Sequence, residues 1–379
     1  MVTGAHASTR AGRDATPLAR TRPIRLMIVD DSVVARAVLS RMVETDGGFE
    51  IAAVAGTAED AIEALGQIRV DTILLDLEMP GVGGLKSIPK ILAAAHGARV
   101  MIVSSQAEAG AEETVAALAL GAADTLPKPG TGRFNGRFSQ VLLAKLHALG
   151  RADRPAGSVA QPSSGRTATA VYLPIGEGLA RLGEVPIELL AIGSSTGGIH
   201  ALGELFGALP RRVGVPILVT QHLPAPFMAV FARQLSTTAG REALVAEDGM
   251  KLAPDRIIIA PGDAHLTLFD DHGALAVRLM RHKVRSGCLP SVDPMFASLA
   301  AAVGAGAVGV VLTGMGRDGS EGAAALVKAG GTILAQDEAS SAVWGMPRAV
   351  AEAGLASAIL SPAKLARRIG ACIPEALCS

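Results

Sequence analysis

The chain has 379 residues, of which 49% are hydrophobic and 18% charged. This composition can fill the cores of two or three domains and is not that of a disordered chain. Its 35 basic and 35 acidic side chains cancel, and aromatic residues make up only 3%, so neither nucleic acid nor an anionic membrane is favoured as a partner. The three cysteines have no CxxC spacing, which indicates neither disulfides nor a zinc site and favours the cytoplasm.

The first α/β pattern follows an N-terminal segment, residues 1–23, that is predicted to be a disordered tail. This tail contains several arginines but lacks the apolar core of a signal peptide, and the chain has no run of ~18 uncharged apolar residues that would insert into a membrane. From residue 24 to 150, apolar strands alternate with helices, which predicts a doubly wound parallel sheet. The strands are predicted at Ile24–Asp31, Glu50–Ala55, from Asp71, Ala98–Ser105 and Ala123–Pro129.

Residues 151–185 are predicted to be a flexible linker because they are rich in Gly, Pro, Ser and Thr. A second α/β pattern in residues 186–379 predicts a Rossmann-like parallel sheet with a β-hairpin near His265, His272 and His282. Strands are predicted at Ile187–Gly193, Val215–His222, Arg256–Ala260, His265–Phe269, Ala307–Thr313 and Thr332–Ala335.

Polar side chains cluster at the carboxyl ends of the first sheet's strands, where ligands bind in parallel α/β sheets. Asp30 and Asp31 end the first strand, Asp76 the third, Ser104 the fourth and Lys128 the fifth. Three neighbouring carboxylates repel one another unless a cation neutralises them, and Mg²⁺ prefers such oxygen donors. The pattern therefore predicts a magnesium site at which a carboxylate accepts a phosphoryl group, with Lys128 balancing the added charge and Ser104 binding a phosphate oxygen.

Four motifs in this half resemble the receiver domain of two-component response regulators. They are VDDS (Val29–Ser32), LLDLEMPG (Leu74–Gly81), VSS (Val103–Ser105) and PKP (Pro127–Pro129). The resemblance implies that Asp76 is the phosphoacceptor and that Asp30 and Asp31 hold the metal together with the main-chain carbonyl of Glu78. Thr125 replaces the aromatic residue that often stands three positions before the lysine in this family.

The second half contains a G-x-S-x-G sequence, Gly193–Gly197, between a predicted strand and a predicted helix. Small residues at this position permit the tight turn of a nucleophile elbow, which exposes the serine hydroxyl, here that of Ser195. The helix N-terminus directs backbone N–H groups towards an oxyanion formed there. A phosphate-binding Gly-rich turn is the alternative interpretation of the same residues.

Two further residues at strand ends complete a possible Ser-His-Asp triad. His222 ends the strand after the elbow, and Asp318 lies in the Gly-rich turn after the strand that begins at Ala307. Asp263 and Asp293 are rival acids, but their turns are expected not to reach this edge of the sheet. The order Ser…His…Asp differs from that of α/β-hydrolases, which indicates a separate hydrolase lineage.

Six segments of this half resemble the catalytic domain of the CheB-type chemotaxis protein-glutamate methylesterases. They are AIGSSTGG, TQHLPAPF, AEDGMKLAPDRIIIAPGDAHLTL, PSVDPMF, LTGMGRDG and AQDEASSAVWGMPRAV. The resemblance implies Ser195 as nucleophile, His222 as general base and acid, and Asp318 as the residue that orients the imidazole. It also implies that Thr196 and the turn at Met315 support the oxyanion.

Two positions bear on details of this resemblance. Ser194 stands where the family often has alanine, which favours Ser195 as the nucleophile. Leu289 stands where the family usually has a basic residue, so substrate contacts or loop order are expected to differ while the chemistry is retained.

The two resemblances together imply a phosphorylation-activated hydrolase in bacterial chemotaxis. Its substrates would be glutamate γ-methyl esters and specific glutamines of methyl-accepting chemoreceptors, and a chemotaxis histidine kinase would be its phosphodonor. Mg²⁺ is expected in the receiver and no cofactor for ester hydrolysis. The alternatives are a second domain that only binds a partner and one that binds a nucleotide; a DNA-binding output is disfavoured because no basic recognition helix follows the linker.

Overall fold

The computed structural model describes residues 22–104, 108–128, 136–151 and 182–373. The predicted tail, except for its last two residues, and most of the predicted linker lie outside these ranges. Among the described helices, none combines the length and the apolar character needed to span a bilayer.

A parallel sheet with the strand order β2-β1-β3-β4-β5 forms the first half of the described chain. Its strands are β1 (Ile24–Val29), β2 (Phe49–Ala55), β3 (Thr72–Leu75), β4 (Arg99–Ser104) and β5 (Asp124–Pro127). Its helices are α1 (Val33–Glu44), α2 (Ala58–Gln67), α3 (Gly84–Ala94), α4 (Glu108–Ala119) and α5 (Gly136–Arg151). Side chains of β1, β3 and β4 are buried on both faces of the sheet, which explains why these strands are continuous apolar runs in the sequence.

A larger parallel sheet, β14-β13-β12-β6-β7-β9-β8 among the described residues, organises the second half. Its strands are β6 (Leu189–Ser194), β7 (Ile217–Gln221), β8 (Ala243–Val245), β9 (Ile257–Ile259), β12 (Ala307–Val311), β13 (Thr332–Gln336) and β14 (Ala358–Leu360). Its helices are α6 (Gly198–Ala208), α7 (Ala225–Ala239), α8 (Val292–Ala302), α9 (Ser320–Lys328), α10 (Met346–Glu352) and α11 (Pro362–Gly370).

The predicted pair of doubly wound parallel sheets is confirmed, and so is the hairpin. The antiparallel strands β10 (His265–Asp271) and β11 (Ala274–Met280) form this hairpin. The short outer strands β8 and β14 were not predicted, because three residues carry too little periodicity to be distinguished from a loop.

Strand β6 lies at the centre of the larger sheet, with β7 on one side and β12 on the other. The chain proceeds from β6 to β7 and later returns to β12 on the opposite side, so the strand order reverses at β6. In open parallel sheets, this switch point opens a crevice beyond the carboxyl ends of the strands. The elbow sequence that follows β6 therefore lies where the fold provides a binding site.

The two sheets belong to one packed structure, because the first domain lies against the second. Helix α4 packs on α6 and α7, and Val343 joins the hydrophobic cluster of the first domain. The Arg99 guanidinium donates a hydrogen bond to the Ser341 carbonyl, with an N···O distance of 3.1 Å. An exposed ion pair between Arg233 and Glu112 lies at the rim of the contact.

Helix α9 packs against α8 at a glycine, and this contact gives a test of the fold. A Cβ atom on Gly322 would lie 2.5 Å from the Asp293 carbonyl oxygen. We expect Gly322→Ala to lower the free energy of unfolding by about 1–3 kcal/mol through overpacking, although alanine favours helix. Gly203→Ala in α6 is the control, because the nearest atom to its Cβ would be Thr238 Cγ2, at 3.9 Å. This substitution should stabilise the helix by up to about 1 kcal/mol.

Urea unfolding followed through the fluorescence of Trp344, the single tryptophan, measures both changes in the second domain. A Gly322→Ala variant as stable as the unaltered chain would contradict the packing described for α8 and α9.

Candidate active site

The turn between β6 and α6 contains two glycines that lie close to neighbouring side chains. Gly197 adopts a positive φ of +78°, and a Cβ atom there would lie 2.4 Å from the Ala342 Cβ. A Cβ atom on Gly198 would lie 2.2 Å from Gln221 Oε1. These close approaches explain the glycine pair physically, and Ser195 remains partly exposed between buried neighbours.

The two adjacent serines differ in what their hydroxyl groups contact. Ser194 is fully buried and donates a hydrogen bond of 2.6 Å to Gln221 Oε1. The amide nitrogen of Gln221 in turn donates to the Ser195 carbonyl at 2.9 Å. The Ser195 hydroxyl makes no hydrogen bond with any residue that the structure describes, so it is the hydroxyl available to a ligand.

Two backbone N–H groups next to Ser195 have no partner in the described part of the chain. The Ser195 N–H itself donates to the Thr313 carbonyl at 3.0 Å, and that of Gly197 donates to the Ala123 carbonyl at 2.5 Å. The N–H groups of Thr196 and Met315 make no hydrogen bond within the described residues. They are the donors that an oxyanion at this turn could use.

His222 and Asp318 form a direct pair, with 2.8 Å between Nε2 and Oδ2. Asp318 is only 1% exposed and accepts two further hydrogen bonds, from the Ser291 hydroxyl at 2.5 Å and from the Val292 N–H at 2.7 Å. Since Ser291 caps α8, the N-terminus of this helix fixes the carboxylate. The other ring nitrogen of His222, Nδ1, is not used in the bond to Asp318 and is available to another group.

The pair sets the charges of both groups. Burial by itself lowers the pKa of His222, but the hydrogen bond to Asp318 and the neighbouring Cys288 raise it to about 9. Burial would raise the pKa of Asp318, yet the imidazole, Ser291 and the Val292 N–H hold it far below its usual range. In this arrangement the carboxylate is ionised and stabilises an imidazolium.

Strand register explains why residues far apart in sequence meet here. Gly193 is paired with Val311 of β12, and Ser194 with Gln221 of β7. Ser195, His222 and Asp318 therefore follow three adjacent parallel strands, which lie about 4.8 Å apart. No hydrogen bond between Ser195 Oγ and His222 occurs among the described residues.

The expectation that Asp293 cannot reach this edge is wrong. Asp293 lies in the first turn of α8, where burial and the charge of Asp318 raise its pKa to about 6, against a hydrogen bond from the Gly322 N–H. It nevertheless does not bond His222, which pairs with Asp318. Asp263, the other rival acid, is exposed beside Arg281.

Three supporting residues were missed by the sequence reasoning. Gln221 bridges the two serines, Ser291 holds Asp318, and the Ser291 N–H donates to Nδ1 of His265 at 3.0 Å. Ser291 did carry a signal, because serine before a helix is a common N-cap. Gln221 and His265 act through contacts that only the folded chain creates.

The acids at the edge of the first sheet also lie together. One oxygen from each of Asp30, Asp31 and Asp76 lies within 4.8 Å of the others. The Lys128 Nζ atom is 2.7 Å from Asp76 Oδ2 and 3.0 Å from Asp30 Oδ2. Burial raises the pKa of Asp76, and Lys128 opposes that rise. Burial would lower the pKa of Lys128, but the carboxylates of Asp76 and Asp30 raise it.

The donors of this acidic cluster suit a hard cation. All are carboxylate oxygens, and the buried Asp30 Oδ2 atom is paired with the Lys128 ammonium. The Glu78 N–H donates to Asp76 Oδ1 at 3.3 Å, which places this residue beside the cluster. Ser104 is buried, and its hydroxyl lies 2.7 Å from that of Thr114.

The first domain contacts the turn that carries Ser195. Asp124, the first residue of β5, accepts a hydrogen bond of 2.5 Å from the Thr196 hydroxyl, and the preceding Ala123 carbonyl accepts from the Gly197 N–H. Lys145 lies 2.7 Å from the same Asp124 oxygen. Thr196 is thus occupied on its side chain by the other domain, while its N–H has no partner in the described ranges.

Comparisons with known proteins agree with the two halves of the chain. Residues 190–369 match the family model of the CheB methylesterase, and residues 26–133 that of the response regulator receiver domain. A protein-glutamate methylesterase/protein-glutamine glutaminase of Azospirillum brasilense is 41% identical over 353 residues, 89% of this chain and 90% of the relative. The chain belongs to this family.

Another relative matches both halves of the chain, and a solved structure matches the second half. A protein-glutamate methylesterase/protein-glutamine glutaminase 2 of Caulobacter vibrioides is 43% identical over 341 residues, covering 89% of this chain and 95% of the relative. The crystal structure of the Thermotoga maritima CheB methylesterase catalytic domain is 34% identical and covers 50% of this chain and 100% of that chain, with a TM-score of 0.48. The family resemblance inferred from the motifs is confirmed.

The His222–Asp318 pair predicts an unusual titration. Because Asp318 and Cys288 together raise the folded pKa from 6.5 to about 9, their interactions with the imidazolium stabilise the fold fully below pH 6.5. This contribution is lost as the pH rises through 9. We expect an NMR titration of His222, assigned by its absence in His222→Gln, to have a midpoint near pH 9. Asp318→Asn should lower the midpoint, because Cys288 alone then opposes burial. Equal midpoints in the two proteins would contradict the pairing.

Proposed function

We propose that the second domain hydrolyses glutamate γ-methyl esters, and deamidates specific glutamines, of methyl-accepting chemoreceptors. The observation that carries this proposal is the unengaged Ser195 hydroxyl in a glycine elbow on the central strand, next to the His222–Asp318 pair. The family assignment supports hydrolysis over the binding-only and nucleotide-binding alternatives. The cytoplasmic location stays a prediction.

The proposed acylation step starts from the neutral form of His222, which a pKa of about 9 makes the minor form at neutral pH. The Ser195 oxygen attacks the ester carbonyl and the neutral His222 takes its proton. Asp318 stabilises the imidazolium that forms, because its ionised carboxylate already bonds the ring. The Thr196 and Met315 N–H groups receive the oxyanion, and one such donor contributes ~2.7–4 kcal/mol to lowering the barrier. His222 then gives the proton to the departing methoxide, which leaves as methanol.

Deacylation reverses the roles with water as the nucleophile. His222 takes a proton from water, the hydroxide adds to the glutamyl-enzyme carbonyl, and the serine leaves with that proton. The product is a glutamate side chain. A glutamine side chain follows the same path with ammonia as the first leaving group, which accounts for both activities in the names of the relatives.

In the receiver, we propose Asp76 as the phosphoacceptor and Asp30, Asp31, Asp76 and the Glu78 carbonyl as ligands of Mg²⁺. The convergence of one oxygen each from Asp30, Asp31 and Asp76 within 4.8 Å supports this assignment. The ion would neutralise charge on the acids and the phosphoryl group. Lys128, already between Asp30 and Asp76, balances the charge of the phosphoaspartate. Ser104 would exchange its hydrogen bond with Thr114 for one to the phosphate. A histidine kinase is the proposed phosphodonor.

Regulation is proposed to act through the contact at the elbow. While Asp124 and Ala123 hold Thr196 and Gly197, the receiver occupies the edge at which a receptor helix must dock. Phosphorylation would favour the released state, and moving this equilibrium from 1:99 to 99:1 requires ~5.5 kcal/mol of differential stabilisation.

The nucleophile assignment predicts opposite results for the two serines. Ser195→Ala should reduce methanol release from methylated receptor membranes on the order of 10⁶-fold with the fold retained. Ser194→Ala should retain near-normal turnover but lose about 1–3 kcal/mol of stability, since the buried Gln221 Oε1 loses its donor. Initial rates and urea unfolding of both variants measure these effects, and reversed activities would contradict the assignment.

The elbow contact predicts that the receiver restrains the esterase through Asp124. Asp124→Ala should raise the rate of the unphosphorylated full chain and reduce its stimulation by acetyl phosphate with Mg²⁺, because Thr196 loses its receiver partner. Glu112→Gln, at the exposed Arg233 pair on the rim of the same contact, should change neither quantity, since such pairs contribute little. Methanol-release rates with and without phosphodonor distinguish these results; an unchanged basal rate in Asp124→Ala would contradict the restraint.

A further inference from the structure

Cys288 lies beside the His222–Asp318 pair, and no role in hydrolysis accounts for its position. One donor atom from each of the three side chains, a ring nitrogen, a sulfur and a carboxylate oxygen, lies within 4.8 Å of the other two. The thiol is half-buried on the segment between β11 and α8. Cys288 and Asp318 both line a cavity of about 630 Å³, whose lining also includes the exposed Arg285, so solutes can reach the cluster.

This donor set differs in kind from that of the receiver. The receiver cluster consists of carboxylates, which select hard cations, whereas a thiolate, an imidazole and one carboxylate are the donors that Zn²⁺ takes in proteins. The negative charges of one thiolate and one carboxylate together balance the charge of a divalent cation. Ser291 and the Val292 N–H already orient the carboxylate, which is the outer support that metal ligands need.

The distances are compatible with a tetrahedral ion after small adjustments. With bonds of about 2.3 Å to sulfur and about 2.0 Å to nitrogen, donors around zinc lie roughly 3.5 Å apart. His222 and Asp318, at 2.8 Å, would separate slightly, and the sulfur would approach from its exposed segment. Three protein ligands leave a fourth position for water.

We propose that His222, Cys288 and Asp318 form a binding site for a thiophilic divalent cation such as Zn²⁺, which reversibly inhibits the esterase. The thiol proton and one proton of the His222 imidazolium are released to solvent when the metal binds. A neutral imidazole has one lone pair. Once the metal takes it, His222 cannot accept the proton of Ser195. The inhibition rests on the proposed function, but metal binding itself does not.

Two full-length variants test the site with Co²⁺ as a spectroscopic probe. The control carries Cys372→Ser and Cys378→Ser, so that Cys288 is the remaining cysteine of the three; the test variant adds Cys288→Ser. Thiolate-to-cobalt charge-transfer absorption in the near ultraviolet should appear in the control and be absent from the test variant. Cobalt held by the receiver carboxylates gives no such band, so it cannot imitate the result.

Zinc inhibition of methanol release, without phosphodonor, is the second arm. Zn²⁺ should inhibit the control, a chelator should restore its rate, and the inhibition constant should rise more than about a hundredfold in the test variant, since even outer supports of a metal site contribute about 10- to 100-fold. No charge-transfer band in the control, or its persistence without Cys288, would overturn the site. Equal inhibition of both variants would overturn the claim that zinc inhibits through this site. An absence of methanol release even without zinc would count against the proposed function, and the cobalt result would then decide the site.

Discussion

Two hydrogen bonds between domains are the contact on which the proposed regulation depends. Thr196 and Gly197, the residues that follow Ser195, donate to Asp124 and to the Ala123 carbonyl. The proposed function requires the same turn to be accessible to a receptor helix and to supply an N–H group to an oxyanion. In the proposed regulation, a receiver bound at this turn would therefore compete with substrate for the same surface, and gating would require no rearrangement of His222 or Asp318.

Strand β5 connects this contact to the proposed phosphorylation site. Asp124 begins the strand and Lys128 follows its end, so about 13 Å of extended chain separates the group that holds Thr196 from the group that senses Asp76. In the structure, Lys128 bonds Asp76 directly. In the proposed regulation, a phosphoryl group on Asp76 would change the partner of Lys128, and a displacement at this end of the short strand would reach Asp124 at the other end.

The sequence allowed the two sheets, the elbow and the strand-end acids to be predicted, because buried parallel strands are apolar runs and ligands meet their carboxyl ends. The expectation that Asp293 does not reach this edge of the sheet was wrong, since the place where α8 meets the sheet depends on tertiary packing. The contact between Asp124 and Thr196 joins residues 72 positions apart, and Cys288 reaches His222 from a segment without regular structure. Neither pairing leaves a spacing pattern in the sequence.

Amide hydrogen exchange of the elbow tests the central claim most directly. The N–H of Gly197 is bonded to the receiver carbonyl of Ala123, so peptides covering residues 193–198 report release of the contact without reference to turnover. Treatment of the full chain with acetyl phosphate and Mg²⁺ should accelerate exchange in this segment, and Asp76→Asn should abolish the acceleration. Equal protection of the elbow in the phosphorylated and unphosphorylated chain would contradict the account.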